Sequence, residues 1–200
     1  MKRATLILQA VFIGLFTGLT GCSEPTGKHP RIEIQTSLGN IELELYPEKA
    51  PVTVAAFLSY IDSGHFRNTS FYRVLNLDNQ PSNAPKSELV QGGLYRSPSK
   101  RHINPPGIAH ETTRQTGLNH QDGTISLARL APGTANTEFF ICVGDQPGFD
   151  FGGENNPDGQ GYAAFGKVIK GLNVVRKIYN QREDEQYFDP PVPIYNIVRL

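Results

Sequence analysis

Apolar residues between Arg31 and Leu200 come in runs of only four to seven, and turn residues close almost every run. Twenty Gly and fifteen Pro in 200 residues supply those turns. A helical bundle needs long 3.6-residue periods, which this spacing leaves no room for, so a β-rich fold is predicted. Arg31 to Thr36 alternates, with Ile32 and Ile34 on one face. Ile41, Leu43 and Leu45 alternate again after the turn Ser37-Leu38-Gly39-Asn40, which makes a β-hairpin with one wet face. Further strands are predicted at Phe71–Leu75, Leu89–Gly92, Thr124–Ala128, Phe139–Val143, Tyr162–Val168 and Ile194–Leu200.

Two helices are predicted. One starts at Pro51, carries Val54, Leu58 and Ile61 on one side and stops before Gly64. The other is Leu172–Tyr179, where Val174, Val175 and Ile178 share a side. Eight strands and two helices without βαβ alternation give a mainly β fold class, a closed eight-stranded antiparallel barrel capped by two α-helices. Asn76–Glu88, Pro98–Gly123 and Phe151–Gly161 are expected to be long loops.

The first 22 residues are different in kind. Lys2 and Arg3 precede an uncharged apolar run of 16 residues, Ala4 to Leu19, shorter than the roughly 20 a spanning helix needs. The run ends in Leu19-Thr20-Gly21-Cys22, which resembles the bacterial lipoprotein box, in which the cysteine becomes the lipidated first residue. Residues 1–21 are thus expected to be a signal peptide, with Cys22 as the lipidation site. Residues 22–30 would be the lipidated Cys and a flexible tether, and 31–200 the folded domain. Stable anchoring would need more than one acyl chain on Cys22. The only other cysteine, Cys142, lies in an apolar run and reads as a buried small hydrophobe.

Charge narrows the partners. Nineteen basic residues balance nineteen acidic ones, so nothing favours nucleic acid. Without residues 1–21, 17 basic face 19 acidic residues, a net charge of −2. There is no Gly-x-Ser-x-Gly elbow, no phosphate-cradling glycine loop and no His-Glu-x-x-His helix. His29, His65, His102, His110 and His120 are too scattered for a local metal motif, and Asn155, Asn156 and Asp158 read as a solvated loop. No metal or cofactor is expected.

What remains is an arginine inside an apolar strand (Phe71-Tyr72-Arg73-Val74), a glutamine ahead of two glycines (Val90-Gln91-Gly92-Gly93) and an aromatic pair (Phe139-Phe140-Ile141). A charge in such a run needs partners or a role, because burying it alone is costly. Taken in order with Ile125-Ser126-Leu127-Ala128-Arg129, Thr137-Glu138 and Ala164-Phe165-Gly166-Lys167-Val168, these words resemble the cyclophilin family of peptidyl-prolyl isomerases, over about Arg31 to Leu200. Ala128-Arg129 and Gly161-Tyr162 are closest to bacterial, periplasmic-type members.

The resemblance implies rotation of X-Pro peptide bonds, a reaction that needs no nucleophile or metal. It implies a catalytic set of Arg73, Gln91 and Phe140, and substrate contacts from Leu89, Ala128, Arg129, Glu138, Phe149 and Tyr162. Implied partners are X-Pro-containing polypeptides and, through the lipid, a membrane. The implied location is the bacterial envelope facing the periplasm, on the outer membrane because Ser23 and Glu24, not aspartate, follow the cysteine. Three departures from the family pattern matter. Glu88 replaces an aromatic wall of the proline pocket. Glu138 replaces a substrate-contacting glutamine, and is expected to pair with Arg129 or to favour cationic peptides. Gly148 replaces a tryptophan, so cyclosporin binding is expected to be weak. The alternative these departures raise is a catalytically weakened proline-peptide binding module or chaperone.

Overall fold

Ile32 and Ile34 of strand β1 (Arg31–Thr36) stand opposite Leu43 and Ile41 of β2 (Gly39–Leu45), and all four are fully buried. Their alternation with Glu33, Glu42 and Glu44 sets the register, because a one-residue slip would bury the carboxylates instead. The next strands are β3 (Thr69–Leu75), β4 (Leu89–Gly93), β5 (Thr124–Leu127), β6 (Phe139–Cys142) and β7 (Ala163–Lys170), of which β5 and β6 are buried along their whole length. A two-residue strand β8 (Glu183–Asp184) and the long β9 (Tyr187–Arg199) complete the set in the computed structural model, which describes residues 29–200. The expected signal peptide, Cys22 and most of the tether lie outside the described residues.

Every pairing is antiparallel. The order β1-β2-β7-β5-β6-β4-β3-β9 closes through β9 pairing with β1, giving the eight-stranded barrel, while β8 is a short arm folded onto the start of β9. Closure leaves no free sheet edge in the barrel itself. Its interior is filled by side chains from all round the sheet, among them Phe71, Val90, Ile125, Phe139, Ile141 and Phe165. Helix α1 (Pro51–Asp62) packs Phe57 against Phe66, Phe139 and Phe165, with ring centroids 5.0, 5.6 and 5.0 Å away. Helix α3 (Leu172–Tyr179) inserts Val174, Val175 and Ile178 into the same core. Each fully buried aromatic or aliphatic side chain contributes about 1.5–3 kcal/mol.

The structure corrects the sequence reading in three places. A third, one-turn helix α2 (Thr113–Thr116) stands inside the expected loop Pro98–Gly123, started by a Thr112/Gln115 capping box and ended by Gly117 at φ 68°. Beside it, the Glu111 carboxylate accepts from the amides of Val52 and Thr53 at 3.1 and 2.8 Å, capping α1 from across the chain. Second, β9 begins at Tyr187 rather than Ile194. Residues 188–191 bulge away from β3, and Pro190 and Pro191 sit there, where no ladder donor is required. Third, Asn155, Asn156 and Asp158 do not make a free solvated loop. Asn155 donates to Ser87 Oγ at 3.2 Å, Asn156 is buried, and Asp158 pairs with Arg129. Cys142 is fully buried, as expected, and burial pushes its thiol well up from the usual range.

Candidate active site

Strand register brings the three central residues together. Arg73 on β3 is the partner of Gln91 on β4, and Gln91 is the partner of Phe140 on β6. Alternation sends their neighbours Val90, Phe139 and Ile141 into the barrel, which turns Gln91 and Phe140 to its outer face. A bulge between Phe71 and Arg73 lets Tyr72 face the same way as Arg73, although the two are adjacent in sequence.

That outer face carries a cleft of about 450 Å³. Arg73, Leu89, Gln91, Ala128, Arg129, Glu138, Phe140, Phe149 and Tyr162 all line it, so every predicted site residue except the undescribed Cys22 converges there. Strand alternation could not reveal Tyr72, whose position depends on the bulge, nor Tyr187, whose strand starts among prolines. Leu75 also lines the cleft, and Tyr95, Leu130, Thr134 and Asn136 form its rim.

The apolar half is an aromatic box. Phe140, Phe149 and Tyr162 have centroids 5.2 to 5.4 Å apart, and both pairs involving Tyr162 meet nearly edge to face. The Tyr162 amide donates to the Phe149 carbonyl at 2.9 Å, joining two walls. Underneath, the buried His120 ring stacks on Phe140 at 5.9 Å and is fixed by Asp150 at 2.7 Å and Ser126 at 3.0 Å.

The polar half is a chain of hydrogen bonds. Arg73 Nη1 donates to Gln91 Oε1 at 3.2 Å, and Gln91 Nε2 donates to the Tyr72 hydroxyl at 2.7 Å. The hydroxyl donates in turn to Glu138 Oε2 at 2.7 Å. The other side of Arg73 is held by Gln186, whose Oε1 accepts from Nε at 3.2 Å and from Nη2 at 2.7 Å. Three of the five guanidinium N–H groups are thereby engaged by neutral carboxamides, and the remaining two have no partner among the described residues. The arginine's charge is held in place without being neutralised.

Glu138 does not pair with Arg129, contrary to expectation. Its Oε1 accepts from the Leu94 and Tyr95 amides at 2.8 and 3.2 Å and from the Thr137 hydroxyl at 3.3 Å. Gly93, at φ 144°, makes that possible, since a Cβ there would strike the Glu138 carboxylate. Burial raises the Glu138 carboxyl above its ordinary range, with the donors pulling the other way. Arg129 instead forms a two-pronged pair with Asp158 at 2.6 and 2.8 Å and donates from Nε to the Gly161 carbonyl at 2.8 Å. Glu88, expected to weaken the pocket wall, is absent from the cleft. It accepts from the Tyr179 hydroxyl at 2.6 Å, while Leu89 beside it faces the cleft.

Beyond Tyr95, Asn136 and Glu138 a second depression of about 660 Å³ adjoins the cleft, lined also by Arg96, Lys100 and Arg101.

Residues 31–199 match the family model for cyclophilin-type peptidyl-prolyl cis-trans isomerases. The chain is 37% identical over 181 residues to a peptidyl-prolyl cis-trans isomerase of Acinetobacter baylyi, covering 90% of this chain and 83% of the relative. It is 39% identical over 179 residues to peptidyl-prolyl cis-trans isomerase A of Dickeya dadantii, covering 89% and 85%. In fold it is similar to a Cryptosporidium parvum cyclophilin crystallised in the presence of the dipeptide Ala-Pro. That likeness has a TM-score of 0.65 at 23% identity and covers 84% of this chain and 97% of that one. A closed barrel with an arginine-bearing apolar cleft on its outer face and relatives of this kind place the chain in the cyclophilin-type peptidyl-prolyl cis-trans isomerase family.

Proposed function

We propose that Arg73 is the group through which this isomerase lowers the barrier to X-Pro rotation. Amide resonance sets that barrier at about 18–20 kcal/mol. In the twisted transition state the prolyl nitrogen regains its lone pair, and a guanidinium N–H aimed at it binds better there than in the planar ground state. The observation that carries this reading is the guanidinium's setting: beside an apolar box, fixed by Gln91 and Gln186, and paired with no carboxylate among the described residues. Phe140, Phe149, Tyr162 and Leu89 hold the proline ring and exclude water.

Glu88 faces Tyr179 and brings no charge into the cleft, and both Glu138 oxygens already accept hydrogen bonds, which favours the isomerase reading over the binding module. Asn155 occupies the space a side chain on Gly148 would need, which supports weak cyclosporin binding. The natural substrates in this reading are exported polypeptides, met at the outer membrane through a lipid on Cys22; Cys22→Ser protein remaining in the membrane fraction would refute the anchor. One donor aimed at developing charge in a dry site contributes about 2.7–4 kcal/mol, so Arg73→Ala should slow isomerisation of an Ala-Pro peptide roughly a hundred- to thousandfold. Activity within about twofold of wild type would remove Arg73 from the mechanism.

A further inference from the structure

Gln186 stands at a place where glutamine is a poor choice for the backbone. It and Glu185 form the tip of the β8–β9 hairpin at φ 77° and 47°, the left-handed region that glycine adopts without cost. Strain of this kind persists only where the surroundings over-determine it, and it concentrates at functional sites. Here the surroundings are explicit. The Gln186 amide donates to Glu183 Oε2 at 2.7 Å, its carbonyl accepts from the Val74 amide at 2.8 Å, and its Nε2 donates to the Asn79 carbonyl at 2.9 Å. Those contacts leave Oε1 aimed at one target, the Nε and Nη2 of Arg73.

We infer that Gln186 is a positioning residue for Arg73, fixing the plane and direction of the guanidinium so that its free N–H groups point into the cleft. The inference rests on the catalytic role given to Arg73 above. An arginine on a strand has four rotatable side-chain bonds, and Gln91 alone, touching only Nη1, leaves the plane free to turn about that contact. The two-point grip on Nε and Nη2 removes this freedom. Because Nε2 of the same carboxamide holds Asn79, the segment 76–88 is tied to the arginine through one side chain.

The test is Gln186→Gly and Gln186→Ala, compared with wild type and Arg73→Ala in isomerisation assays of the full chain. Both Gln186 variants should lose about tenfold in kcat with KM changed less than about twofold, since proline binding by the aromatic box is untouched. Gln186→Gly relieves the left-handed strain, so its thermal midpoint should equal or exceed that of wild type; a purely structural role predicts a lower one. The Arg73 Nε–H resonance should be sharp in wild type and should broaden or move toward its solvent-exposed position in both variants. If Arg73→Ala is slow while both Gln186 variants keep wild-type kcat, Gln186 does not position the arginine. If Arg73→Ala itself is near wild type, the catalytic reading fails first and is recognised as the cause.

Discussion

Tyr72 and Glu138, 66 residues apart in sequence, share a 2.7 Å hydrogen bond that joins the arginine's support to the rim of the cleft. Burial and the neighbouring carboxylate push the Tyr72 phenol far up, so it keeps its proton and donates to Glu138 while accepting from Gln91. The phenol thus fixes which end of the Gln91 amide faces Arg73.

The cost of this arrangement falls on Glu138. Burial, the largest influence on it, raises its carboxyl from 4.5, so the folded protein holds that proton more tightly than the unfolded chain does. A raised carboxyl contributes stability below its unfolded value and loses it as pH rises through the folded one. Glu138→Gln, which mimics the protonated form, should therefore gain on wild type between about pH 4 and about pH 7. Urea unfolding of both proteins at the two pH values measures this. A wild type that gains on the variant over that window would mean the surrounding donors outweigh burial.

Arg129 and Asp158 behave oppositely. The hydrogen bonds from Arg129, helped by the Gln160 amide, hold the Asp158 carboxyl down at about 2. A depressed carboxyl keeps its contribution above its unfolded value and loses it as pH falls through the folded one, so this latch is intact at neutral pH. It holds residues 151–161 against the barrel, and the Arg129 guanidinium lies 5.4 Å from the Tyr162 ring centroid. Asp158→Asn should raise KM for a proline peptide roughly three- to tenfold through a looser Tyr162 wall, with kcat little changed. An equal fall in kcat with KM constant would place Arg129 at the reacting bond instead of at the wall.

The strands were legible because two-residue alternation and short apolar runs report on which side faces a core, whereas the nine residues that converge on one cleft came as a set only through the resemblance carried by the ordered sequence words. Arg73 stood out because a charge interrupts an apolar run, while Gln91 and Phe140 taken singly read as structural and core residues. Tyr72 and Gln186 were not legible, for a shared reason. Both depend on irregular backbone, a bulge in β3 and a left-handed hairpin tip between β8 and β9, and neither leaves a periodic trace. The expected Glu138–Arg129 pair failed because Glu138 lies just before β6, where sequence pattern does not tell which partners the side chain finds.

Charge around the second depression turns the expected peptide preference round. Among the described residues Glu138 is the only carboxylate lining it, against Arg96, Lys100 and Arg101, and both its oxygens already accept hydrogen bonds. The segment from Leu89 to His110 that supplies those cations contains no Asp or Glu. Arg96 rests on the Tyr187 ring at 4.3 Å, which orders it without cancelling its charge. A substrate carboxylate near the proline thus meets a positive, partly screened field of about 1 kcal/mol per close pair. Proline peptides with a neighbouring Glu should be turned over several-fold faster, in kcat/KM, than the same peptides with Lys, and added salt should narrow the gap. Arg101→Glu should narrow it as well without slowing an uncharged Ala-Pro peptide. A preference for the Lys peptide would mean that the Glu138 charge still dominates the rim despite its four donors.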